Sequence, residues 1–125
     1  HNYILIETNT INYTDIIRNA IWELNLNGYK PVYAHPERYS YYWKNPERFH
    51  KIKDMGVFFQ INIPSLAGYY NPTVQKTAEY LIDQNMIEFI GSDAHEMKYL
   101  EAIESSQYSV YMEKLGNANL LNNKL

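Results

Sequence analysis

Cysteine is absent from the 125-residue chain. Disulfides and thiolate metal sites are therefore excluded, and the redox compartment is left open. Long apolar runs are also missing. Stretches such as Val57-Phe58-Phe59 fall far short of the roughly 20 residues needed to span a bilayer. Glycine is scarce, at 5 residues, and none lies in Glu7-Thr8-Asn9-Thr10 after the first apolar segment, where a phosphate-cradling loop would belong. That weighs against a nucleotide-binding doubly wound domain. Positive charge is not in excess. With a formal net charge of −3 there is no basic field to hold a nucleic-acid backbone. An initiating methionine is lacking too: the chain starts at His1 beside an apolar segment, so its natural N-terminus is expected to be missing and targeting is not readable.

What is present is ordinary in bulk. Hydrophobic residues make up 46% and charged residues 20%, which suits one folded domain and argues against disorder. Tyrosine is abundant, at 13 residues. Its apolar body and polar tip fit half-buried positions and binding surfaces.

Four short segments rich in β-branched and aromatic residues read as buried strands: Tyr3 to Ile6, Pro31 to Ala34, Val57 to Ile63, and Met86 to Ile90. They recur at intervals close to those of successive strand–helix units. Helical spacing fills the gaps. Ile16, Ile17, Ala20, Ile21 and Leu24 share one face, and Asn27-Gly28 supplies a stop. Asn45 and Pro46 are expected to open a second helix carrying Phe49, Ile52 and Met55, ended by Gly56. Asn71 and Pro72 repeat the device before Val74, Ala78, Leu81 and Ile82. A last helix is expected from about Met97 into the early 100s, with residues from about 106 peripheral and the tail from Gly116 frayed. The fold class is α/β, and four such units are half of an eight-unit barrel of roughly 250 residues. A doubly wound open sheet uses the same units and is the competing architecture.

Ligand-type residues fall at the C-terminal ends of these strands. Glu7 follows the first, His35 the second, Asn62 the third, and Asp93 and His95 the fourth. Parallel strands point the same way, so these residues share one rim, where barrel enzymes hold their active sites. Carboxylate oxygen and imidazole nitrogen without sulfur suit Mn²⁺, Zn²⁺, Fe²⁺ or Mg²⁺. In Asp93-Ala94-His95, alternate residues of an extended segment project to one side. Each residue also has a plain reading. Glu7 is a solvated loop acid, His35 a turn histidine held extended by Pro36, Asp93 a helix cap, and His95 a solvent contact. His50, beside Lys51 and Lys53, reads as surface.

Three segments carry a resemblance: Ile4-Leu5-Ile6-Glu7, Pro31-Val32-Tyr33-Ala34-His35-Pro36-Glu37-Arg38-Tyr39, and Gly91-Ser92-Asp93-Ala94-His95. They resemble the polymerase-and-histidinol-phosphatase (PHP) type of bacterial protein-tyrosine phosphatase found with capsule and exopolysaccharide genes. Gly56 to Asn62 and Ser65-Leu66-Ala67-Gly68-Tyr69-Tyr70 look like the same family, and the likeness extends to about residue 105. The His-Pro-Glu-Arg motif is fairly specific, whereas Asp-x-His alone is weak.

The resemblance implies a distorted TIM-like barrel, of which this chain is the C-terminal half. It implies a metal cluster, Mn²⁺ foremost, with Glu7, His35, Asp93 and His95 as ligands and Arg38 binding and polarising phosphate. Tyr39, Tyr41, Tyr42 and Trp43 follow the arginine and are expected either to wall the substrate site, with Asn62, or to pack the loop onto the barrel. The implied substrate is a phosphotyrosine protein such as a bacterial tyrosine autokinase, and the implied location is the cytoplasm. The family's N-terminal His-x-His motif is absent, so the four ligands would leave the cluster incomplete and the fragment inactive alone. Other readings are a histidinol-phosphatase-like phosphoesterase, an amidohydrolase-like metalloenzyme, and a non-catalytic module that forms a homo-oligomer through exposed strand edges.

Overall fold

The computed structural model of the chain describes residues 2–92 and 110–122. Four strands form one parallel sheet in the order β1 (Tyr3–Ile6), β2 (Lys30–Ala34), β3 (Phe58–Asn62) and β4 (Phe89–Gly91). Helices α1 (Ile16–Leu26), α2 (Arg48–Lys53) and α4 (Pro72–Asp83) form the crossovers. A short α3 (Ile63–Leu66) follows β3 directly, and α5 (Val110–Gly116) comes last. Sequential neighbours pair throughout, as a run of strand–helix units requires.

One sheet face packs on the helices. Tyr33, Phe59 and Ile61 meet Ile17 and Ile21 of α1, Phe49 of α2, and Ala78 and Leu81 of α4 in a single buried cluster. On the opposite face, Tyr3, Phe58 and Phe89 form an edge-to-face group with ring centroids 5.2–6.4 Å apart. Leu5, on that same face, is 63% exposed.

Helix ends mostly follow local chemistry. The Asn71 side chain accepts from the Val74 amide at 2.8 Å and Pro72 occupies the first turn, as the sequence predicts. Gly28, at φ +81°, lets the Tyr29 amide return to the Leu24 carbonyl and close α1. The second helix departs from expectation. Asn45 and Pro46 form a preceding turn, with their carbonyls accepting from Arg48 and Phe49 at 3.0 Å, and α2 starts only at Arg48. The fourth strand is also shorter than predicted, because the Met86 amide is used to close α4 on the Leu81 carbonyl and is lost to the ladder.

The segment from Gly116 does not fray over the described residues. Leu115 is buried, the Leu121 amide donates to the Glu88 carbonyl at 2.7 Å, and the Asn122 side chain pairs with both backbone groups of Ile90. A side-chain amide thus occupies the open edge of β4. The helix predicted from Met97 lies outside the described residues.

Phe59 is fully buried at the centre of the cluster, whereas Trp22 on α1 is 63% exposed. Phe59→Ala is expected to lower stability by about 3–5 kcal/mol in denaturant titration. Trp22→Ala is expected to lower it by less than about 1 kcal/mol, and equal losses would contradict this placement of the core.

Candidate metal and phosphate site

Because the strands are parallel, their C-terminal ends open on one cavity of about 340 Å³. Leu5 of β1 and Glu7 just after it, Ala34 of β2 and His35 just after it, Gln60 and Asn62 of β3, and Gly91 of β4 line it. Gly91 has a steric reason. A Cβ there would lie 2.6 Å from Gln60 Nε2, which is itself held by the Ile61 carbonyl and Asn62 Oδ1.

Ala34 and His35 are adjacent, and alternation along a strand would send them to opposite faces. Both line the cavity because His35 leaves the strand. Its backbone adopts φ 35°, ψ 60°, a left-handed conformation and not the extended one that Pro36 favours. Such a conformation costs about 1–3 kcal/mol and persists only when its surroundings enforce it. Here the His35 amide donates to the Gln60 carbonyl at 2.7 Å, and its carbonyl accepts from the Arg38 amide at 3.0 Å, closing a 3₁₀ turn over Pro36–Arg38. The turn brings His35 Nε2 to 3.0 Å from Glu7 Oε2.

At that distance the two side chains are hydrogen-bonded to each other, and the same spacing is compatible with shared coordination of a cation. Two donor atoms each about 2.1 Å from one cation and at right angles to it lie roughly 3 Å apart. The Glu7 side chain is 68% exposed, which leaves access to further ligands, whereas His35 is buried with Nδ1 unpartnered. Among the described residues no third histidine, aspartate or glutamate joins this pair. Asp93 and His95 lie outside the described residues.

Arg38 projects from the same turn, and its guanidinium carbon sits 4.2 Å from the centre of the Tyr70 ring. The Tyr70 hydroxyl accepts from Asn62 Nδ2 at 3.2 Å. Asn62 is buried, with its side-chain amide donating to Tyr70 and accepting from Gln60. Tyr39 and Tyr42 do not wall the cavity as aromatic substrate contacts. Both are fully buried, Tyr39 stacked on Tyr33 at 4.7 Å and Tyr42 against Phe49 at 4.7 Å. Burial pushes both phenols above their usual range, Tyr42 up to about 12, so they remain neutral. Tyr70 is the aromatic at the arginine, and its position in sequence, remote from the motif, hid it.

Glu37 is the least expected element. Its side chain is 0% exposed. Oε1 accepts from the Asn62 amide at 2.9 Å and from Ser65 Oγ at 2.7 Å, while Oε2 has no partner. Burial raises its carboxyl to about 7, opposed by those two donors. Its carbonyl accepts from Trp43 Nε1 at 2.9 Å, fastening the following loop. The nearby positive charge of Arg38 also lowers its carboxyl pKa, and no periodicity in the sequence announces a buried acid.

Comparisons with known proteins show the family. A family model described as capsular polysaccharide synthesis, CpsB/CapC, matches residues 1–119. Tyrosine-protein phosphatase YwqE of Bacillus subtilis (strain 168) is 35% identical over 96 residues, covering 77% of this chain and 38% of that protein. Tyrosine-protein phosphatase CpsB of Streptococcus pneumoniae is 27% identical over 119 residues, covering 91% of this chain and 49% of that protein. A crystal structure from work on YwqE and CpsB, described as unique metal-dependent tyrosine phosphatases, superposes with a TM-score of 0.74 at 30% identity, over 90% of this chain and 48% of that one. The chain spans about half the length, or less, of the curated relatives it matches. The family model spans nearly the whole chain and the superposition supports its fold, so the chain belongs to the CpsB/CapC family of capsular polysaccharide synthesis.

Proposed function

We propose that the natural protein bearing this chain is a metal-dependent protein-tyrosine phosphatase that acts in capsular or exopolysaccharide synthesis. The observation that carries this reading is the Glu7–His35 pair, 3.0 Å apart at the C-terminal rim of a parallel sheet. Glu7 and His35, with Asp93 and His95, would hold the metal; Mn²⁺ is what the family resemblance implies, and the oxygen and imidazole donors equally suit Zn²⁺, Fe²⁺ or Mg²⁺. Bound there, a divalent metal supplies a Lewis acid and lowers the pKa of water toward neutral. The sheet would be half of a TIM-like barrel, and the bare face at Leu5 supports that reading. The substrate would be a phosphotyrosine protein, a tyrosine autokinase fitting the assignment. Among the described residues no helix is long and apolar enough to cross a membrane. The cytoplasm is the proposed location.

The chain's own residues have separable tasks. Arg38 is half-buried beside Tyr70, and its planar fork can donate two bonds to phosphoryl oxygens without ever losing charge. The Tyr70 ring limits where the guanidinium can swing, which orients the substrate before reaction. Glu7 keeps its carboxylate exposed, so a ligand reaches it from solvent, while the buried His35 ring is held from the side of the turn.

In the natural full-length protein, Arg38→Ala is expected to lower turnover on an aryl phosphate at least tenfold, about 1.4 kcal/mol of barrier. Arg38→Lys should recover only part of it, since an ammonium lacks the fork. Turnover unchanged in both variants would remove Arg38 from the reaction. His35→Gly removes the imidazole and also relieves the left-handed backbone, which glycine adopts freely. Metal content by elemental analysis should fall while the unfolding midpoint of the metal-free protein holds. Full metal occupancy in that variant would contradict His35 as a ligand.

A further inference from the structure

The β2–β3 ladder stops in an unusual way. His35 donates its amide to the Gln60 carbonyl, so a continued parallel ladder would next pair the Asn62 amide with the His35 carbonyl. That carbonyl has turned away into the 3₁₀ turn and accepts from Arg38. The Asn62 amide lies at a fully buried position and needs an acceptor. Glu37 Oε1 supplies it at 2.9 Å, braced by the Ser65 hydroxyl at 2.7 Å.

We propose that Glu37 is a positioning residue of this site: its carboxylate oxygen replaces the His35 carbonyl at the end of the ladder and so holds the left-handed turn that aims His35 at Glu7 and sets Arg38 over Tyr70. The role as a positioner of a metal ligand rests on the metal-dependent reading above. The replacement of a backbone acceptor by a side chain rests on geometry alone. Without that acceptor, the Asn62 amide would be satisfied by the His35 carbonyl. Strand β2 would then run on, and residue 35 would point to the helix side. Glu37 thus trades one more ladder bond for a turn that places two functional side chains.

Three variants of the natural full-length protein separate this role from mere stability. Glu37→Gln keeps an oxygen acceptor but leaves its own NH₂ unpartnered. Glu37→Asp keeps the charge but withdraws the oxygen by one methylene. Glu37→Leu keeps bulk and removes the acceptor. All three should lower the unfolding midpoint. Titration with Mn²⁺ alone should show Gln binding close to wild type, and Asp and Leu weaker by at least about tenfold, as for other residues that orient ligands. If the leucine variant does not fold, the aspartate variant decides. Hydrogen exchange at the Arg38 amide, which loses its His35 carbonyl acceptor if β2 runs on, gives a reading that needs no metal: slow in wild type and Gln, faster in Asp. Equal exchange in wild type and the aspartate variant would overturn the proposal, as would loss of Mn²⁺ in Gln as large as in Asp. A wild type that binds Mn²⁺ but leaves aryl phosphates intact would instead sink the phosphatase reading and leave Glu37 its role.

Discussion

The Asn62 amide is the backbone group on which this site turns. Parallel strands present evenly spaced donors and acceptors, and a strand that leaves the ladder early strands one group on its neighbour. β2 leaves at His35, one residue after Ala34, and the stranded amide is buried. A carboxylate reaching back from two residues further on resolves the deficit. The left-handed backbone at His35, the 3.0 Å approach of its ring to Glu7, and the seat of Arg38 over Tyr70 then follow from one chain reversal.

The same device appears elsewhere in the sheet. Glu88 Oε2 accepts from the Phe59 amide at 2.8 Å and the Glu88 carboxylate also pairs with Lys53. At the edge of β4, Asn122 meets both backbone groups of Ile90. Strands of three to five residues offer few ladder bonds, and side chains complete them where the backbone diverges. The buried polar atoms are therefore mostly accounted for in the way a dense interior demands.

Tyrosine explains how such short strands hold a shaped rim. Tyr33, Tyr39, Tyr41 and Tyr42 pack together, Tyr39 stacked on both Tyr33 and Tyr41, and Tyr42 edge-on to Tyr39 and Tyr41, with centroids 4.7–6.4 Å apart. The Tyr39 and Tyr41 hydroxyls stay useful. Tyr41 meets Thr8 Oγ1 at 3.2 Å and donates to the Asn9 carbonyl at 3.2 Å, and the Thr8 amide donates to Tyr39 at 3.4 Å. The loop after Glu7 is thereby tied to the loop after Arg38. A purely apolar stack would bury as much area but leave those loop groups unsatisfied.

The four strands, the helix cap at Asn71 and the grouping of Glu7, His35 and Asn62 at one rim were legible in the sequence, because period, breaker residues and parallel connectivity are local or topological properties. The acceptor role of Glu37, the arginine seat on Tyr70 and the left-handed His35 were not, and for Tyr39 and Tyr42 the sequence left two readings open, walling the site or packing the loop. Pro36 argues locally for an extended His35, and only a buried amide 27 residues away makes the opposite conformation worth its strain. Sequence alone determined which residue types reach the rim. Tertiary structure decided where each one points, because that choice depends on hydrogen-bonding groups left over by strands that meet only in the folded chain.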